Sequence, residues 1–151
     1  MKYIIDGYNL IGKLRSISLS DLQKEEKCIT YLQNLPSKTK DRFHCVFDGK
    51  SKYSDYKSVQ NYASIKVVYT DPDQCADSYI INYCERKKNR SGIIGVSSDH
   101  DILNKLRKLN VKTLTCHEFI NYFTAFQKNG LINKDLYTDE EDIDFWLNRF
   151  S

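Results

Sequence analysis

The sequence predicts an α/β fold in which a central, mostly parallel sheet of about five strands is flanked by helices. Two observations carry that prediction. Short runs of apolar and β-branched residues alternate with longer stretches of helical periodicity, the order expected of parallel strands joined by right-handed crossovers. The first, second and fourth of those runs lead into an aspartate, at Asp6, Asp48 and Asp99. In an open parallel sheet the carboxyl ends of the strands share one edge, and that edge is where such folds place their sites.

Each element has its own warrant. Lys2 to Asp6 is a short apolar strand. Ser20 stands three before Gln23 as a capping box, and Leu22, Ile29 and Leu32 follow at helical spacing until Pro36, so a helix is expected over about Asp21 to Leu35. Phe43 to Gly49 (FHCVFDG) reads as the second strand, and KSKYSDYKSVQNYAS, which has no clean period, as a loop with a weak helix. Ile65 to Thr70 is β-branched and forms the third strand. Asp71-Pro72-Asp73-Gln74 supplies an N-cap with proline at the first helical position, predicting a helix to about Lys88. SGIIGVSSDHD is the fourth strand and the start of a helix carrying Ile102, Leu106 and Leu109 that Asn110 ends; VKTLTC is the fifth strand, with HEFINYFTAF a helix beyond it. Thr138 and Glu141 form another capping box ahead of Ile143, Trp146, Leu147 and Phe150, predicting a docking helix over about 139–150.

Composition narrows the class. A chain of 151 residues is expected to form one domain over 1–151, with a core that needs no covalent staple. The five cysteines are scattered without a Cys-x-x-Cys pair, which argues against a secreted disulfide framework or a zinc knuckle and for buried apolar thiols. The apolar run before Asp6 is too short for a signal-peptide core and no stretch approaches ~20 apolar residues, so the expected location is the cytoplasm, with no membrane partner. A net charge of +3 does not by itself declare a nucleic-acid protein. Glu85 to Arg90 and Asn104 to Asn110 are locally basic; Arg86, Lys87, Lys88 and Arg90 read mainly as a solvated face at the end of their helix, and the eleven tyrosines mainly as packing residues.

The aspartates pose the chemical question. Asp6, Asp48, Asp99 and Asp101, together with Asp77 in the first turns of the helix after the third strand, would meet from distant parts of the chain. Two ionised carboxylates ~4 Å apart repel by about 4 kcal/mol at an effective dielectric near 20. A divalent cation relieves this, because Mg²⁺ and Mn²⁺ take oxygen ligands and complete their shell with water. Local readings stand beside it: Asp77, Asp99 and Asp101 also suit a helix N-terminus, and Asp6 and Asp48 each precede a glycine and suit a turn.

IIDGYNLI, VFDG, CADSYI and SSDHDI, in this order, resemble the NYN domains of the PIN-like nuclease superfamily, specifically the YacP-like branch, and the closing DIDFWLNRF is similar to the acidic-then-Trp-Leu segment of such proteins. The resemblance covers most of the chain. It implies a PIN-like three-layer fold, an acidic pocket holding one or two Mg²⁺ or Mn²⁺ ions, and metal-dependent endoribonuclease activity. Some members of the branch act on ribosome-associated messenger RNA, so RNA is the implied partner, with messenger RNA on the ribosome as one form of it. Asp6, Asp77 and Asp99 match the family's metal-binding acids, Asn9 the asparagine that supports the pocket, and Asp48 a motif position of less defined role. Asp101 fits the wider NYN spacing, although YacP-like chains often lack an acid there, and Cys75 stands where many relatives carry threonine.

The expected reaction is hydrolysis of RNA phosphodiesters, with Asp6, Asp77, Asp99 and Asp101 holding the ions and Asn9 positioning Asp6 or a water. His100 lies between two of the acids and reads as a solvent-facing residue or an aid to proton transfer. Phosphate-binding candidates are Lys50, Lys52 and Lys57 after the second strand, then Lys13 and Arg15, with Tyr8 and Tyr53 available to stack on a base. The alternative is a catalytically silent RNA-binding or adaptor module that keeps the acidic pocket. A haloacid-dehalogenase-like phosphatase would want a second aspartate two residues after Asp6, and a receiver domain a lysine ending the fifth strand; neither is present.

Overall fold

The computed structural model describes residues 1–35, 40–49 and 58–132. Its elements are β1 (Lys2–Asp6), α1 (Gly7–Lys13), α2 (Lys24–Gln33), β2 (Arg42–Phe47), β3 (Ser58–Tyr62), β4 (Ile65–Tyr69), α3 (Ala76–Arg86), β5 (Ile93–Ser97), α4 (His100–Lys108), β6 (Lys112–Thr115) and α5 (Cys116–Ile132). The six strands form one sheet in the order β3-β4-β2-β1-β5-β6, parallel throughout except for the antiparallel β3–β4 pair.

Two apolar layers sandwich the sheet. Strand alternation sends Tyr3 and Ile5 to one face, where they meet α1, α2 and α5 through Leu10, Cys28, Ile29 and Phe119. Ile4 and Val46 point the other way, against Ala76, Ile80 and Cys84 of α3 and Ile102 and Leu106 of α4. Gly95 permits the second layer to close, since a Cβ there would stand 2.4 Å from Leu106 Cδ1. From β1 the chain crosses to β2 and β4 on one side, then returns to β5 and β6 on the other. That reversal makes the β1/β5 boundary the switch point of the sheet, and Asp6 ends β1 there.

The architecture agrees with the expected α/β fold, and the differences are local. β3 lies in the segment read as a loop: it is a short, exposed edge strand, joined to β4 through a two-residue turn in which Ala63 adopts φ 52°. Its sequence shows no alternation because little of it is buried. α1 was not expected, being seven residues with glycine at its first position and again at Gly12. α2 begins at Lys24, because Asp21 accepts the Gln23 N–H at 2.8 Å and holds the preceding residues in a turn rather than a capping box. α3 begins four residues later than its proline suggested. Gln74 N–H bonds back to the Asp71 carbonyl at 2.9 Å and the Thr70 hydroxyl donates to the Gln74 carbonyl at 2.6 Å, so Asp71 to Gln74 make a turn and Cys75 takes the N-cap position. Arg90 closes the other end of α3, donating to the carbonyls of Cys84, Glu85 and Lys87. Four of the five cysteines are buried, as expected, and all are free thiols. The expected docking helix over 139–150 lies outside the described residues.

Candidate active site

Period-two alternation along β1 places Asp6 on the same face as Ile4, toward α3 and α4, at the carboxyl edge of the sheet. Asp6 is 4% exposed and serves as N-cap of α1. One oxygen accepts the Asn9 N–H at 3.4 Å and the other the Asn9 side-chain amide at 3.1 Å. The far end of the same amide crosses to the neighbouring strand: Asn9 Oδ1 accepts the Ser98 N–H at 3.0 Å, a short bond from the Ser98 hydroxyl, and the Ser97 hydroxyl at 3.5 Å. Ser97 Oγ in turn accepts the Asp99 N–H at 3.1 Å, and Asp99 caps α4 by accepting the Asp101 N–H at 2.9 Å. A continuous hydrogen-bonded chain thus runs from Asp6 through Asn9 and the two serines to Asp99.

The third acid arrives from α3. Asp77 is half-buried in the first turn of that helix, and its carboxyl lies close enough to that of Asp6 for each to act on the other's charge. Burial pushes Asp6 up to about 7; its hydrogen bonds from Asn9 oppose the rise, and the charge of Asp77 adds to it. Asp77 is raised as well, first by burial and then by the charges of Asp99 and Asp48, while the adjacent Asp6 carboxyl and the nearby Lys105 act in the other direction. Asp6 therefore keeps its proton to about neutrality, and Asp77 gives up its own less readily than a free carboxyl. Both α3 and α4 aim their N-termini at this edge, where the positive ends of their dipoles favour the carboxylates.

The structure thus brings Asp6, Asp77, Asp99, Asp48 and Asn9 to one edge. Asp101 and His100 stand exposed in the first turn of α4. The donor set is oxygen throughout, which fits a hard divalent cation rather than a soft one. Among the described residues no three His, Cys, Asp or Glu groups close round a single point. A cation held by the Asp6–Asp77 pair would thus fill most of its shell with water, the usual habit of Mg²⁺.

The sequence profile of the YacP-like NYN domain matches residues 3–144. The chain belongs to the YacP-like NYN domain family. That family is of nuclease type. Among solved structures, the crystal structure of Rae1 (YacP) from Bacillus subtilis superposes with a TM-score of 0.69 at 20% identity, covering 95% of this chain and 85% of that one. The W164L mutant of the same protein gives 0.66 at 17% identity, covering 85% of this chain and 77% of that one. At such identities the likeness establishes the shared fold. No curated protein matches the sequence closely enough to count as a relative.

In this YacP-like NYN domain the glycines of the two DG motifs are explained by contact. A Cβ on Gly7 would stand 2.3 Å from the Phe47 ring, and one on Gly49 would stand 1.6 Å from the Thr70 carbonyl oxygen. Tyr8 supports the motif: its ring packs against Phe47 with centroids 5.0 Å apart and its hydroxyl donates to Glu25 at 2.8 Å. Lys13 and Arg15 are exposed, and Lys13 lies close enough to Cys116 to oppose the rise that burial gives its thiol. Lys50, Lys52, Tyr53 and Lys57 lie outside the described residues. Sequence reasoning missed the bridging role of Ser97 and Ser98, and it missed Lys105, which α4 carries toward Asp77. The signal for Lys105 was its position four residues after Asp101, on the same face of the helix.

Proposed function

We propose that this NYN domain is a Mg²⁺- or Mn²⁺-dependent endoribonuclease that hydrolyses RNA phosphodiester bonds, with messenger RNA at the ribosome as a candidate substrate in a cytoplasmic setting. The observation that carries this reading is the buried Asp6 carboxyl at the switch point of the sheet, with the half-buried Asp77 beside it and Asp99 and Asp48 close by.

Asp6 and Asp77 are the direct ligands in this scheme, and Asp99, Asp48 and Asp101 act through water. When bound, the cation lowers the pKa of a coordinated water and steadies the negative charge that develops on the phosphate. Asn9 holds Asp6 in one orientation with two donors, so its lone pairs stay directed at the edge. The serine bridge fixes the spacing between β1 and the start of α4, so Asp99 keeps its distance from the pair. Lys105 draws the substrate backbone toward the acids, and Lys13, Arg15, Lys50, Lys52 and Lys57 are further candidates to meet its phosphates.

The test is cleavage of single-stranded and structured RNA by the wild type, Asp6→Asn, Asp77→Asn and Asp99→Asn, with Mn²⁺ or with chelator. The reading expects loss of at least a hundredfold in each variant and in chelator. Equal activity in all four proteins, or activity undiminished by chelator, removes it. Metal binding and salt-dependent RNA affinity without turnover would instead identify the silent adaptor module.

A further inference from the structure

α3 has two distinct faces. Ala76, Ile80 and Cys84 are buried against the sheet, while Tyr79, Asn82, Tyr83 and Arg86 recur at i, i+3, i+4 and i+7 along its flank. Beside that flank, register aligns Ile4, His44, Lys66 and Asn61 in one row across β1, β2, β4 and β3. Ile4 lies in the apolar layer under the helices, whereas Lys66 and Asn61 are exposed beside them. Two adjoining hollows result, of about 320 and 290 Å³, sharing Lys66 and Tyr83.

The lining of these hollows is cationic and aromatic. Lys2, Arg42, Lys66, Arg86 and Lys87 contribute to it, and no carboxylate lines either hollow. The Lys87 ammonium stands over the Tyr83 ring at 4.9 Å, and Lys2 donates to the Tyr83 hydroxyl at 2.8 Å. The Tyr79 and Tyr83 rings lie nearly parallel, 22° apart with centroids at 6.5 Å. His44 at the floor is driven down to about 3, by burial first and then by Lys66, Lys2 and Lys87, so it remains neutral beneath the positive wall.

Cations along a groove with aromatic faces between them are what a single-stranded polynucleotide requires, phosphates meeting the cations and bases the rings. The groove follows the flank of α3 toward that helix's N-terminus, the end at which Asp77 stands. Gln74, just before α3, lines one end of it, Asp77 sits in the first turn of the helix, and Arg86 and Lys87 lie about 14 to 15 Å farther along. We propose that the α3–β4 groove binds the backbone of single-stranded RNA on one side of the cut site, guiding a strand of several nucleotides past Tyr79 and Tyr83 toward Asp77. This rests on the nuclease reading for its substrate, and it assigns to Arg86 and Lys87 a binding role in place of a merely solvated face.

The test uses the full chain and a fluorescein-labelled 16-nucleotide single-stranded RNA, in chelator so that nothing is cut, with anisotropy read over a range of salt. Replacing Lys66, Arg86 and Lys87 together by serine is expected to weaken binding at least tenfold near 0.1 M salt. It should also flatten the slope of log affinity against log salt by about 2, the contribution of three single-strand phosphates. Lys40→Ser with Lys108→Ser, exposed cations elsewhere, serves as control and keeps wild-type affinity. RNA containing 4-thiouridine should cross-link to the peptide holding Tyr79 and Tyr83. Wild-type affinity and slope in the triple variant, or tighter binding of polyglutamate than of RNA to the groove, overturns the proposal and leaves the nuclease reading untouched. Groove-dependent RNA binding in a protein that cuts no RNA with Mn²⁺ does the reverse.

Discussion

Asn9 and Ser98, 89 residues apart, are joined at one oxygen: the Asn9 side-chain carbonyl accepts the Ser98 N–H at 3.0 Å while its amide nitrogen donates to Asp6 at 3.1 Å. One side chain thereby ties the ends of two neighbouring parallel strands and sets where their carboxylates stand. Asn9→Ala is expected to destabilise the domain by about 2 to 3 kcal/mol, because a buried carboxylate and a strand-end amide each lose a partner. RNA cleavage should fall at least tenfold. Asn9→Asp keeps an acceptor for Ser98 but sets a second negative charge beside Asp6, so it should lose more stability at pH 8 than at pH 5. Thermal melts at the two pH values, read with cleavage rates, check both variants. An Asn9→Ala protein within 0.5 kcal/mol of wild type would mean that the bridge is not structural.

The Asp6 carboxyl gives the metal-free protein a pH signature. Its folded value of about 7 stands above an unfolded value near 4, so the folded state holds the proton more tightly. The stability tied to that proton is complete below about pH 4 and is lost as pH rises through 7. Three pK units correspond to about 4 kcal/mol as an upper limit, since the adjacent Asp77 is raised as well. In chelator, the wild type should therefore melt at lower temperature at pH 8 than at pH 5.5, and Asp6→Asn should remove most of that difference. Mn²⁺ should raise the melting temperature of the wild type at pH 8 and do little at pH 5.5, because the ligands must shed their proton to bind it. A wild-type profile in chelator that is flat, or that rises toward pH 8, contradicts the assignment.

Much of the frame was legible in the sequence because it rests on local signals. β1, β2, β4, β5 and β6 are apolar or β-branched runs, and the acids follow them at positions that a parallel sheet must bring to one edge. α1 and β3 were illegible for opposite reasons. α1 is short and glycine-containing and is held by the Asp6 cap and by Leu10 and Ile11 in the core. β3 gains its ladder from β4 and buries little. Of the site, the identity of the acids was readable. The Asn9–Ser98 bridge depends on how the ends of β1 and β5 meet, which no spacing encodes, whereas the step of four from Asp101 to Lys105 marks a shared helix face without giving its approach to Asp77.

Gly49 and Gly12 should respond to alanine in opposite ways. A Cβ at Gly49 would fall 1.6 Å from the Thr70 carbonyl oxygen, a backbone atom that cannot swing aside. Thr70 is itself pinned: its hydroxyl accepts the Gly49 N–H at 2.9 Å and donates to the Gln74 carbonyl at 2.6 Å, just before α3. Gly49→Ala is expected to cost about 3 kcal/mol or more and to displace both Asp48 and the start of α3, so activity should fall with stability. At Gly12 the nearest foreign atom to a new Cβ is Leu19 Cδ1 at 3.7 Å, an ordinary contact. Gly12→Ala should therefore add roughly 0.5 to 1 kcal/mol by restricting the unfolded chain, with activity unchanged. Denaturant titrations of the two variants decide the matter, and similar midpoints would refute the contact argument.

Lys105 offers a test in which two affinities must move in opposite directions. Its ammonium lies near enough to Asp77 to favour the ionised carboxylate, and it is exposed on α4. A positive charge beside the acids repels a divalent cation and attracts a phosphate. At pH 8, Lys105→Gln should tighten Mn²⁺ binding by roughly two- to fivefold and weaken RNA binding by a similar factor, the modest scale of an exposed charge. Both changes should shrink in 0.5 M salt, where screening shortens the reach of the charge to a few ångströms. Calorimetric titration of Mn²⁺ and anisotropy with labelled RNA in chelator measure the two affinities separately. A variant in which both weaken together would place Lys105 in the packing of α4 instead, and a change that persists in high salt would exclude the electrostatic account.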